Sequence, residues 1–290
     1  MRAARFGLAA FEGLRARRNL WRGLGMLTGL LLFVSLLIAS LSTLRTLELD
    51  PEPESLLICA ALVPLSMVFA IARFMVLAKS VNTSASWRNS TRVVVFGGLA
   101  NLLPLPGALA VRMHFLSSRI GYRRSSLASL MSVGIWISTT ALFAFALVGR
   151  RADPVLTVFL LLVAVASSIV VYATARAAEA PVPHVAALYL LQSLQTVVNM
   201  GRAMLIGAAI GLVLPWSAAS MLSLSGAAGA STGILPAGLG LSELLSGVAM
   251  GVSGYTPAMG VAIAALNRLF DWFGLLVFLP FTNADMKARS

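Results

Sequence analysis

Six ionisable side chains stand inside otherwise apolar segments: Arg73, Arg112, Arg202, Glu243, Arg268 and Asp271. A charge at the centre of a bilayer costs at least about 2.5–3.5 kcal/mol on insertion scales, so each of these needs a partner, a wet cavity or a substrate path. The most ordered signal is the row Gln192, Gln195, Asn199 and Arg202. Its spacings of 3, 4 and 3 put four polar side chains on one helical face. Amide hydrogen bonds between helices explain such a row at about 0.6 kcal/mol each. An arginine in the same row shifts the reading to the wall of a wet cavity.

Downstream, Asn267, Arg268 and Asp271 lie near the middle of an apolar stretch. Arg268 and Asp271 are an i,i+3 pair that can neutralise itself. The functional alternative makes Arg268 a clamp, because the guanidinium fork matches phosphate and carboxylate. Glu243 opens a short helix just after Gly240. There it either caps the helix N-terminus, serves as counter-ion to Arg202 or Arg268, or contacts a cationic headgroup. Arg112 and Arg73 have a simpler alternative, snorkelling toward the membrane surface.

Other chemistries find no support. Cys59 is the single cysteine, and His114 and His184 are the only histidines. No disulfide, metal centre or other cofactor is therefore expected. The sequence has no P-loop, no Gly-x-Ser-x-Gly elbow and no zinc-ligand spacing, so ATP-driven pumping by this chain alone is not expected. The net charge of +12 invites a nucleic-acid reading. It lacks a basic stripe on a soluble face, and basic cytoplasmic loops account for it better.

The elements that position these residues follow from the composition: 59% hydrophobic, 11% charged, with a mean hydropathy of +0.90. A soluble domain carries roughly 25% charged residues. The chain reads as an all-α integral membrane protein, one membrane domain over 1–290. Crossing needs about 20 apolar residues, which six segments supply: about 23–43, 55–78, 127–149, 155–176, 185–213 and 258–281. Residues 1–22 form a basic N-terminus that is too long in its apolar sequel for a signal peptide, and 282–290 a tail.

Two further apolar segments are interrupted. Residues 93–116 break at Leu103-Pro104-Leu105-Pro106-Gly107, after Asn101, and residues 217–250 at Leu235-Pro236-Ala237-Gly238-Leu239-Gly240. Each half is too short to span, which suits a re-entrant hairpin. Pro104 precedes Gly121-Tyr122 by 17 positions and Pro236 precedes Gly254-Tyr255 by 18, the mark of an internal repeat with halves 23–149 and 155–281. If both hairpins return to their starting side, fifteen basic residues between Arg2 and Arg289 face one side, against Arg45, Arg150 and Arg151 on the other. The positive-inside rule then makes both termini cytoplasmic. Three spans separate the hairpins, so the second enters from the opposite face, as in inverted-repeat transporters.

At these broken helices the sequence resembles the membrane domain of lysylphosphatidylglycerol synthases, a flippase-like domain. The resemblance rests on Arg73-Phe74, Asn101-Leu102-Leu103-Pro104 with Gly107 and Arg112, Leu235-Pro236-Ala237-Gly238-Leu239-Gly240 with Glu243, and Arg268. It covers roughly residues 20–285. It implies inverted hairpins around a lipid-accessible cavity in the inner membrane and movement of a headgroup between leaflets. Arg112 would meet a headgroup phosphate from one side, with Arg268 and Glu243 on the other. Where the family has an acidic-basic pair, this chain reads Gly134-Ile135-Trp136-Ile137-Ser138, which questions the usual lipid. The resemblance does not extend to the synthases' aminoacyl-transfer domain, so no enzymatic synthesis of an aminoacyl lipid is expected. The leading expectation is a lipid flippase or scramblase-like transporter of a phospholipid or polyprenyl-linked headgroup, with membrane lipids as partners. The alternatives are a secondary transporter of a soluble solute and a non-transporting partner of an envelope-biosynthesis enzyme or of a second copy.

Overall fold

In a chain this apolar, the folded state is set by which helix faces turn inward and which are left to lipid. The computed structural model describes residues 52, 54–101, 107–148, 153–231 and 240–282, with isolated positions 31, 34, 35, 38, 39 and 42. Every described element is helical: α1 (Glu54–Ser80), α2 (Trp87–Ala100), α3 (Gly107–Ile120), α4 (Tyr122–Val148), α5 (Pro154–Ala177), α6 (Val182–Ala209), α7 (Trp216–Ser231), α8 (Leu241–Val252) and α9 (Pro257–Phe278), closed by a 3₁₀ turn at Leu279–Thr282. The isolated positions between 31 and 42 are helical too. The rest of the expected first span and both terminal segments lie outside the described residues.

Local signals set the ends. Helix α1 carries Glu54 in its first turn and Lys79 in its last, the polarity that its dipole favours. Asp153 caps α5 through the Val155 amide at 2.7 Å, and Pro154 occupies the first turn, where a missing N–H costs nothing. Gly121 and Gly254 both have left-handed backbones, φ +80° and +84°. They close α3 and follow α8, the matching positions of the two broken segments.

Four helices are long and apolar enough to cross a membrane: α1, α4, α5, and α9 with its 3₁₀ extension. Helix α6 is 28 residues long, yet its polar row keeps it less apolar than these four. Helix α5 shows what surrounds the bundle, for it exposes Val155, Val158, Phe159, Leu162, Val165 and Ile169 in succession. Soluble proteins rarely expose a continuous apolar face of that size. This is the surface of an all-α membrane protein.

Each interrupted segment forms two short helices packed on one another. A Cβ added at Gly97 would lie 3.1 Å from Ala108 Cα, and one at Gly229 would lie 2.6 Å from Ser242 Cα. Only glycine lets these backbones approach so closely. Phe74 on α1 meets Phe115 on α3 edge-on, with ring centroids 5.6 Å apart. That contact fixes the register between the two helices carrying Arg73 and Arg112.

Helices α8 and α9 touch more closely still. A Cβ at Gly260 would stand 2.2 Å from the Ser246 carbonyl oxygen, whereas one at Gly201 meets nothing within 4 Å. Gly260→Ala is expected to lose about 1–3 kcal/mol through overpacking. Gly201→Ala, in an open helix interior, gains up to about 1 kcal/mol. Thermal unfolding of the purified protein in detergent separates the two; equal melting temperatures would contradict the packing described.

Candidate functional site

The site is a cavity of about 410 Å³ enclosed by α1, α2, α3, α4, α6, α7, α8 and α9. Its wall collects polar side chains that are far apart in sequence. Arg73 comes from α1, Asn101 from the end of α2, Arg112 from α3, Gln195, Asn199 and Arg202 from α6, and Arg268 and Asp271 from α9. Glu243 does not line the cavity. It lies fully buried behind the wall, reached by Arg268 and Ser242.

Each contributing helix presents one stripe. On α1 the lining residues are Ser66, Met67, Ala70 and Arg73, at spacings that place them along one side of the helix. On α6, Gln195, Thr196, Asn199 and Arg202 face the cavity. Gln192 is instead buried in the protein and donates to Thr196 Oγ1 at 3.2 Å. The row therefore divides, with one amide packing a helix and three polar side chains lining the space.

The charges on α9 pair across helices, not within the helix. Arg202 Nη1 is 2.8 Å from Asp271 Oδ1, and its Nη2 donates to the Asn267 carbonyl at 3.2 Å. Arg202 is only 1% exposed, while Asp271 is half-exposed on the wall. Arg268 Nε is 2.8 Å from Glu243 Oε1, and Arg268 also donates to Ser242 Oγ. The expected i,i+3 neutralisation of Arg268 by Asp271 is thus replaced by two interhelical pairs. The reason is geometric: residues three apart on α9 point toward different neighbours, α6 and α8.

Glu243 combines two of its expected roles. Its Oε2 accepts the Gly240 N–H at 2.8 Å and the Ser242 hydroxyl at 3.0 Å, closing the first turn of α8. Its Oε1 meets Arg268. Fully buried and away from the cavity wall, Glu243 is not placed to meet a cationic headgroup. In the first half, a neutral group does the capping: Asn101 Oδ1 accepts the Ala108 N–H at 2.6 Å. Gly107 lies against Ala100 so closely that an added Cβ would fall 2.1 Å from its carbonyl. Pro104, Pro236 and Gly238 lie outside the described residues.

Arg112 and Arg73 differ from the other two arginines. Arg112 Nη1 donates to Ser132 Oγ at 3.0 Å, and its Nε is buried without a hydrogen-bond partner. Neither has an ion-pair partner among the described residues, and they are near enough to repel one another. Both line the cavity and neither snorkels away from it. Sequence reasoning also passed over Ser132, Ser242, Thr140, Trp136 and Trp272. Only Trp136, inside the segment that departs from the family pattern, carried a readable signal. Among the described residues no cluster of His, Cys, Asp or Glu can hold a metal.

No family model matches the chain, and no curated protein matches it.

The Glu243–Arg268 pair is testable on its own. Glu243→Gln or Arg268→Met leaves one buried charge without its partner, an expected loss of about 3–5 kcal/mol. The double variant, with no orphaned charge, should be more stable than either single one. Denaturation of the three proteins in detergent measures this coupling, and strictly additive losses would contradict it.

Proposed function

We propose that this protein moves a lipid headgroup between membrane leaflets, as a flippase or scramblase-like transporter. The observation that carries the reading is an arginine-lined cavity of about 410 Å³ inside a bundle whose outer faces are apolar. A headgroup cannot cross hydrocarbon unless something replaces its water. Arg112, Asn199, Gln195 and the half-exposed Asp271 supply that replacement while acyl chains stay in lipid. The resemblance to the lysylphosphatidylglycerol synthase membrane domain points the same way.

On this reading, α2–α3 and α7–α8 are two re-entrant hairpins that enter from opposite faces, joined by six spans with both termini cytoplasmic. The paired glycines at Gly121 and Gly254, each left-handed, support the repeat. A static partner of an envelope-biosynthesis enzyme would also hold Arg202 and Arg268 in ion pairs. The arginine-lined cavity beside those pairs favours transport over that role.

The topology has its own test. In a Cys59→Ser background, Ala152→Cys should react with an impermeant maleimide from outside whole cells, and Ser84→Cys should react only after permeabilisation. Labelling of both from outside would overturn the arrangement.

Transport is tested in proteoliposomes with fluorescent phospholipids and an impermeant quencher. Gly226 lines the cavity, and a Cβ there meets nothing within 4 Å. Wild type is expected to expose inner-leaflet label, while Gly226→Leu, which fills the cavity, abolishes exposure with unchanged melting temperature. If wild type matches empty liposomes with anionic, zwitterionic and aminoacylated lipids alike, the proposal fails and a soluble-solute transporter takes its place.

A further inference from the structure

The charges of the cavity do not balance, and the imbalance describes the ligand. The chain has ten acidic residues. Only Glu243 and Asp271 fall in its apolar segments, and each is matched to one arginine, Arg268 and Arg202 respectively. In the sequence, the stretches 102–106 and 232–239 between the paired short helices contain no acidic residue. Among the described residues, Arg73 and Arg112 therefore face the cavity with two positive charges and no carboxylate paired to them. Like charges close together repel, and both guanidinium groups, half-buried on the wall, gain from an anion that pairs with them.

We infer that the ligand carries about two negative charges on one compact group, a phosphate monoester, and that it binds between Arg73 and Arg112. This rests on the transport reading above and names the headgroup class. A guanidinium matches phosphate oxygens in a two-pronged fork. Ser132 already orients Arg112, and its buried Nε remains available as a donor. A phosphodiester brings a single charge and leaves one arginine uncompensated. Zwitterionic or aminoacylated headgroups add an amine, which needs a carboxylate. Both carboxylates near the cavity are engaged: Glu243 by Gly240, Ser242 and Arg268, and Asp271 by Arg202. The site thus selects against cationic headgroups, the opposite of what a lysyl-lipid carrier requires.

The test measures binding of defined lipids to the purified protein in neutral nanodiscs. Phosphatidic acid serves as the monoester, phosphatidylglycerol as the diester and lysyl-phosphatidylglycerol as the cationic headgroup, with inorganic phosphate as the soluble form. Phosphatidic acid is expected to bind at least about tenfold more tightly than phosphatidylglycerol, the value of roughly one charge-assisted hydrogen bond. The preference should grow as pH rises through about 6, where a phosphate monoester loses its second proton. The charged groups facing the ligand are Arg73, Arg112, Arg202, Arg268 and Asp271, with Glu243 behind them. Arg73→Gln and Arg112→Gln should each erase most of the preference at unchanged melting temperature.

Equal binding of monoester and diester, or tighter binding of the lysyl lipid, overturns the inference. Inorganic phosphate binding as tightly as phosphatidic acid, with the same loss in both variants, keeps the phosphate chemistry but makes the source soluble. Monoester selectivity without any lipid movement in proteoliposomes sinks the transport reading alone. Lipid movement indifferent to Arg73 and Arg112 sinks only the ligand class.

Discussion

Charge neutralisation across helix α9 is the constraint on which the rest of the structure depends. In a bundle facing hydrocarbon, a buried ion without a partner costs several kcal/mol, comparable to a large share of a protein's whole stability. Helix α9 carries a cation and an anion three residues apart and directs them to different neighbours. Asp271 holds Arg202 of α6, and Arg268 holds Glu243 of α8. One helix thereby ties a long helix and a short broken one into a single wall. Glu243 extends the tie into the backbone, since the carboxylate that meets Arg268 also accepts the Gly240 amide at the start of α8.

The two broken segments solve one problem with different chemistry. A helix that starts within a packed bundle leaves amide groups without intrahelical acceptors, and each needs a partner there. In the first segment Asn101 reaches across the break to the Ala108 amide. In the second, Glu243 folds back onto Gly240. A neutral cap leaves Arg112 and Arg73 uncompensated, whereas a charged cap absorbs Arg268. The choice of Asn in one half and Glu in the other sets the electrostatic difference between the two sides of the cavity.

Much of this was legible in the sequence, and the missing parts have a common cause. Helical class followed from composition, and the ends of α1, α4, α5 and α9 came within a few residues of the apolar runs. Charged residues in apolar segments marked the site, because membrane proteins seldom tolerate them without a reason. Partner choice was not legible. Periodicity tells which face of a helix a residue occupies but not which helix stands opposite, so Arg268 and Asp271 read as a pair with each other. Gln192 failed for the same reason, since the row Gln192 to Arg202 is wide enough to face both a cavity and a packed neighbour. Arg73 illustrates a different gap. Its distance from Lys79 suggested snorkelling, but it shares with Ser66, Met67 and Ala70 the side of α1 that lines the cavity.

The cavity is partly open, and polar side chains on its wall are what admit water to such a space. Here the walls carry Gln195, Asn199, Asp271 and four arginines, enough donors and acceptors to hold many waters in place of packed side chains. Water screens Arg73 from Arg112 but does not neutralise either. The two sides of the cavity are therefore electrostatically unequal, with Arg202 and Arg268 held in ion pairs and Arg73 and Arg112 in none among the described residues.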